Sequence, residues 1–98
     1  MSGPPLAHRY EMAITRDEFV RLLPFAVETA DGDERELRLR GRDGGVDWRL
    51  SLVERPPRRI ASLSLPVLDV TLECRAAGPA DVDRFVERFL RAYQRGGG

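Results

Sequence analysis

The feature that most constrains the fold is a run of alternating side chains in the middle of the chain. Between positions 46 and 52 every second residue is apolar, and the residues between them are polar. This period of two predicts a strand with one buried face and one solvent face. Shorter runs of the same kind occur at 9–14 and 36–40. Several such strands are typical of a mostly antiparallel sheet with a single dry face.

A second informative stretch lies at 60–74. Its apolar residues alternate in one phase before Pro66–Val67 and in the opposite phase after it. No Gly, Asn or Asp stands there to form a tight hairpin turn. We therefore predict one long strand with a β-bulge at Pro66, which keeps both sets in the core. Two strands joined by a turn at Pro66 remain the alternative. The two sets are Ala61, Leu63 and Leu65, and then Leu68, Val70, Leu72 and Cys74.

Three other stretches predict turns or loops. The sequence "GRDGG" at 41–45 separates two alternating runs and is suited to a β-hairpin. The sequence "ETADGDERE" at 28–36 predicts a polar loop. The sequence "ERPPRR" at 54–59 predicts a turn, because consecutive prolines cannot donate hydrogen bonds to a sheet.

Two segments predict amphipathic helices. Thr15 and Glu18 fit a capping box at the start of the first helix, and Pro24 lies inside it. Pro79 opens the second helix, where proline is well tolerated. The two helices carry the apolar stripes Phe19, Leu22, Leu23, Ala26 and Val27, and Val82, Phe85, Val86, Phe89, Leu90 and Tyr93. The sequence therefore predicts an α+β two-layer sandwich in the order β-α-β-β-β(β)-α. Its mostly antiparallel sheet would have four or five strands, with both helices on one face.

The length of 98 residues allows one domain, which we place at 8–95 after a disordered leader at 1–7 and before a flexible glycine tail at 96–98. All sixteen basic residues are arginine, which indicates a GC-rich bacterial genome. The N-terminus has no apolar signal region and no stretch is long enough to span a membrane, which favours the cytoplasm. Sixteen acidic residues balance the arginines, so no global field favours a polyanion.

The sequence offers little for catalysis, and we predict no catalytic residue, cofactor or metal site. Cys74 lies on the inward phase of its strand, which is typical of a small buried hydrophobe. His8 stands at the border of the leader, where an exposed histidine is the simpler interpretation. One Cys and one His cannot make a Cys/His zinc site. Enzyme activity therefore stays the minority hypothesis.

Nucleic-acid binding is a second hypothesis, based on a basic sheet face formed by Arg38, Arg40 and Arg49. Such faces bind single strands through exposed aromatic rings as well as arginine. Tyr10 and Trp48 both have the inward phase, so bases would find nothing to stack on. The sequence therefore disfavours this function.

Protein binding is the leading hypothesis, because three apolar residues break the phase of their strands. Val53, Ile60 and Val67 should all point to the solvent face. Exposed apolar patches often mark contact surfaces. We predict an interaction patch for a protein partner or a second copy of the chain, made by Val53, Arg55, Arg58, Arg59, Ile60 and Val67.

The chain ends in three glycines, of which Gly97 and Gly98 resemble the diglycine terminus of ubiquitin-like and sulfur-carrier proteins. In those families the tail leaves a β-grasp domain from a strand and offers its carboxylate to an adenylating enzyme. Here the glycines follow a predicted helix, where capping and fraying also explain them. The resemblance covers these residues alone and implies a carrier function as a third alternative.

Overall fold

The computed structural model describes residues 6–27, 31–33, 38–76 and 78–96. It is an α+β structure with a five-stranded antiparallel sheet in the order β1-β5-β4-β3-β2, as predicted in class. The strands are β1 (Leu6–Met12), β2 (Asp31–Asp33), β3 (Arg38–Asp43), β4 (Val46–Ile60) and β5 (Leu63–Arg75). The helices are α1 (Arg16–Ala26) and α2 (Pro79–Gly96).

The alternating run of β4 gives the sheet one buried face, as its period predicts. Trp48, Leu50 and Leu52 are buried, and the strand register pairs them with buried residues of β5. The residues between them are exposed to solvent. We call the buried side the inner face and the opposite side the outer face. Removing one such side chain from water contributes about 1.5–3 kcal/mol, so the inner face supplies much of the stability.

Helix α1 begins at the predicted cap. The Thr15 Oγ1 accepts a hydrogen bond from the Glu18 amide at 3.2 Å. The helix buries Phe19, Leu23 and Ala26 in the core. Pro24 lies within α1 on its exposed side, and the helix ends two residues later. A proline so close to the end removes little of the helical hydrogen bonding.

Helix α2 joins the core through a series of aromatic rings. Phe85 stacks on Trp48 of β4 with ring centroids 6.4 Å apart. Tyr93 stacks on Phe19 of α1 at 4.4 Å, and its hydroxyl donates to the Phe19 carbonyl at 3.0 Å. Phe89 lies between them and is fully buried. The two helices and the inner face therefore share one hydrophobic core.

The predicted turn at "ERPPRR" is wrong. These residues continue β4, which runs from Val46 to Ile60, and the chain turns at Ala61 and Ser62 instead. Prolines are tolerated in β4 because its pairing with β3 ends at Ser51. Beyond that point no described residue pairs with the free edge of β4, so the missing amide donors break no ladder in the described sheet.

The predicted bulge at Pro66 is also wrong in position, although β5 is one continuous strand as predicted. The register shift lies in β4, between Arg55 and Arg58, where two prolines oppose one residue of β5. Strand β5 therefore keeps its phase, and its odd and even positions face opposite sides. Leu63 and Leu65 are consequently absent from the core, and Leu63 is 62% exposed.

Several boundaries differ from those predicted. Leu6 and Ala7, which we assigned to the leader, pair with β5 as the start of β1. The polar loop at 28–36 contains the short edge strand β2. Gly96, assigned to the glycine tail, is the last residue of α2.

Candidate interaction surface

The hairpin of β4 and β5 extends beyond the other strands as a two-stranded arm. Among the described residues, pairing of β5 with β1 ends at Leu68, and pairing of β4 with β3 ends at Ser51. We call residues 53–67 the arm; its base, Val53 and Glu54, pairs with β5 residues that also pair with β1. The projection explains the elongated shape of the molecule, whose longest dimension is 50 Å against 25 and 22 Å for the others. An isolated two-stranded ribbon has little core of its own.

The tip of the arm is a two-residue turn at Ala61 and Ser62. Ala61 has a φ of 54°, in the left-handed region where glycine is usual. The positive φ matches the twist of tight hairpins. No Gly, Asn or Asp marks this turn, which is why the sequence did not reveal it.

Prolines close both edges of the arm. Pro56 and Pro57 lie on the free edge of β4, and Pro66 lies on the free edge of β5. Proline has no amide to offer to an added strand. Natural sheets use such residues to prevent edge-to-edge pairing. The edges of the arm are therefore poorly suited to strand addition.

The outer face of the arm carries an apolar stripe. Its members alternate along β5 or pair with β5 across the hairpin, so they all project to one side. Val53 is 48% exposed, Ile60 52% and Leu63 62%, while the other two are half-buried. The apolar stripe consists of Val53, Ile60, Leu63, Leu65 and Val67.

Two ion pairs flank the apolar stripe. Arg55 Nε lies 2.6 Å from Asp69 Oδ2, and Arg58 forms an ion pair with Glu11 of β1. The first pair joins the neighbouring strands β4 and β5, and the second reaches from β4 across β5 to β1. The arginines at the base and middle of the arm are thus neutralised by the same chain. Ion pairs this exposed contribute little stability, but they leave the surroundings of the stripe without net charge.

Of the predicted patch, the structure brings together Val53, Arg55, Arg58, Ile60 and Val67 on the outer face. Arg59 pairs with Ser64 and projects from the inner side instead. Sequence reasoning missed Leu63 and Leu65. The strict phase of β5 was the signal that could have identified them.

The predicted basic face lies on the outer side of the sheet, beyond the base of the arm. Arg40 of β3 stands directly opposite Arg49 of β4, and Arg38 opposite Ser51. Like charges in directly opposed positions are destabilising. With Arg75 of β5 they form the arginine cluster, defined as Arg38, Arg40, Arg49 and Arg75. Part of it lines a shallow depression of about 480 Å³ that also includes Asp47 and Glu73.

The guanidinium groups of the arginine cluster are solvated by water and not neutralised by carboxylates of the described chain. Within the described part of the chain, no ion pair joins Arg40, Arg49 or Arg75 to a carboxylate. Asp47, opposite Arg75, is bound by Arg42 at 2.9 Å. The aromatic residues of the described strands, Tyr10 and Trp48, have the inner phase as predicted.

The remaining reactive groups do not form a catalytic constellation. Cys74 is buried on the inner face, and burial raises the pKa of its thiol to about 11, far from that of a nucleophilic cysteine. His8 lies on the inner side of β1, with its ring stacked beside that of Tyr10. Among the described residues, no three His, Cys, Asp or Glu side chains are grouped to hold a metal. Gly97 and Gly98, the predicted carrier terminus, lie outside the described residues.

The fold and surface define an α+β domain with a projecting β-arm. No protein-family model, no curated protein and no solved structure matches the chain. In the described part of the chain, neither helix combines the length and apolar character needed to cross a bilayer.

Proposed function

We propose that this protein is a non-catalytic interaction domain that associates with a second copy of itself through the apolar stripe on its arm. The observation that carries the proposal is that Val53, Ile60 and Leu63 are about half exposed on one face. The described part of the chain leaves about half of each side chain in water, and each would gain from leaving it. The bacterial origin and cytoplasmic location inferred from the sequence stay predictions.

The charge balance favours a second copy as the partner. The chain carries sixteen acidic and sixteen basic residues, so two copies meet without net repulsion. The arginines beside the stripe are already paired with Asp69 and Glu11. The surroundings of the stripe have no net charge that would attract a charged partner. The neutral stripe of a second copy is complementary to it. A twofold dimer uses one patch twice, and this is the commonest form of self-association.

The size of the apolar stripe predicts a weak dimer. Covering a half-exposed aliphatic side chain contributes about 1 kcal/mol, half the value for full burial. The three most exposed residues of each copy thus supply about 6 kcal/mol for the pair, before the cost of association. We therefore expect a dissociation constant between about 40 µM and 1 mM.

Analytical ultracentrifugation of the full chain, from about 10 µM to about 1 mM, tests the proposal over that range. The wild-type protein should shift from monomer to dimer with rising concentration. Leu63→Glu places a charge in the stripe and should abolish the shift. Ser64→Glu is the matched control, because Ser64 is also exposed but has the opposite phase. It should dimerise like the wild type.

A wild-type protein that stays monomeric throughout would overturn the proposal, and so would equal effects of the two substitutions. Binding of a polyanion is the competing outcome, since Arg40 and Arg49 oppose each other without a carboxylate partner in the described chain. Retention on heparin that Arg49→Ser weakens and Leu63→Glu does not would favour that function instead. If deletion of Gly97 and Gly98 abolished the function of the protein, the diglycine carrier function would be favoured instead.

A further inference from the structure

We infer that the two arms of this dimer pack face to face and antiparallel, with the tip of each arm over the base of the other. The inference rests on the proposed self-association and adds the arrangement of the partner. It depends on the proline positions, on the distribution of charge along the outer face and on the order of residues in the apolar stripe.

The prolines exclude the commonest way in which exposed strands associate. Strand addition would need amide donors along a free edge of the arm. Pro56 and Pro57 interrupt the β4 edge, and Pro66 interrupts the β5 edge near the middle of the arm. The outer face carries no such interruption. Two arms therefore meet through side chains, as sheets do when they stack about 10 Å apart.

The arginine cluster decides between the two possible directions. A parallel arrangement would stack the outer faces of the two sheets as well as the arms. It would remove water from Arg40, Arg49 and Arg75, which have no ion pair in the described chain. Burying unpaired charges is strongly unfavourable. In the antiparallel arrangement the two sheets lie at opposite ends, and the arginine cluster stays in water.

The stripe itself fits the antiparallel arrangement. Ile60 and Leu63 lie at the tip, Leu65 and Val67 in the middle, and Val53 at the base opposite Asp69. A twofold axis between Leu65 and Val67 places Leu65 of each copy over Val67 of the other. The tip residue Ile60 then covers Val53 of the second copy, because both lie on β4. Leu63 lies over Asp69 of the second copy, which is already paired with Arg55. Four of the five members of the stripe thus meet an apolar partner.

Disulfide cross-linking of full-length variants under a mild oxidant tests this arrangement. We expect Ile60→Cys and Val53→Cys to form a cross-linked heterodimer when mixed, because tip and base of β4 are adjacent. Neither variant should cross-link with itself. The native Cys74 is buried, so the wild type serves as the background control. Ser64→Cys, at the tip but on the other face, should remain uncross-linked in mixtures with Val53→Cys.

Sedimentation of the same variants is measured alongside the cross-linking, so that each combination of results has a distinct meaning. Self-cross-linking of Ile60→Cys and of Val53→Cys, without the mixed product, would establish the parallel arrangement and overturn the inference. A protein that sediments as a dimer but gives no mixed product would also overturn it while leaving the proposed function intact. Monomeric sedimentation of the wild type would overturn the proposed function itself.

Discussion

Truncation of Phe89 is the sharpest test of the core that this fold requires. Phe89 is fully buried on α2, with its ring 6.3 Å from Phe19, 6.4 Å from Phe85 and 5.0 Å from Tyr93. Phe→Ala at such a site costs about 3–5 kcal/mol, through lost burial and the cavity that remains. A domain of this length has a total stability of about 5–15 kcal/mol. Phe89→Ala should therefore remove a large part of it.

Urea unfolding followed by tryptophan fluorescence measures this loss. Trp48 is the single tryptophan, is buried, and stacks on Phe85 beside the site of truncation. With a urea m-value of about 1–3 kcal/mol per molar, the expected loss lowers the midpoint by roughly 2 M. The m-value itself should stay unchanged if the native state keeps its compactness.

Phe25→Ala is the matched control, because the same ring is removed from a position that is 77% exposed. Alanine is the better helix former, so the free energy of unfolding should change by less than about 0.5 kcal/mol. Equal midpoint shifts in the two variants would refute the reasoning, since the helices could not then share a core with the sheet as described.

Two further measurements test the buried thiol and the helix cap. Burial raises the pKa of Cys74 from 9.0 to about 11, so its contribution is complete below pH 9 and is lost as pH rises to about 11. Cys74 should contribute a fall of about 2 kcal/mol in this window, and Cys74→Ala should remove that part of the fall in urea unfolding at pH 8 and 10.5. The part from Tyr10 and Tyr93, whose pKa values burial also raises, remains in both proteins. Lysine is absent, so no lysine titration masks the difference; an unchanged slope in the variant would contradict the assignment. Thr15→Ala removes the acceptor for the Glu18 amide and should lower the melting temperature through a loss of about 1 kcal/mol, whereas Thr15→Ser should keep most of it.

The strands with strict alternation were predictable from the sequence, because burial of one face imposes its period on the residues. Residues 46–52, the capped start of α1 and the proline-led start of α2 all follow local rules. Strand β2 was not predictable in this way. Its three residues, Asp31–Asp33, have no apolar period, and only pairing with β3 makes them a strand.

The errors around the prolines have one physical origin. Proline is costly in a strand only where a neighbour needs its amide, and the sequence does not say where neighbours end. A change of phase in an apolar pattern likewise has two physical causes. It can mark a bulge, or it can mark the point at which the apolar residues of a strand move from one face of the sheet to the other. Strand β5 shows the second cause, so Leu63 and Leu65 joined Val67 on the outer face.

The candidate site was therefore predicted in part. Val53, Ile60 and Val67 were identified because they break a local phase. Arg59 was misplaced because its orientation depends on the register shift at Pro56 and Pro57. A shift of one residue reverses the face of every side chain beyond it, and only the partner strand shows where it occurs.

The reach of the arm beyond the sheet has a consequence for how this protein can change over time. Side chains on the outer face of the arm contribute only exposed ion pairs and partial burial to their own chain, so selection for folding restricts them little. Under the proposed self-association, mutations there alter which surface is recognised while the rings around Phe89 keep the domain intact. Specificity and foldability are then assigned to different parts of the chain.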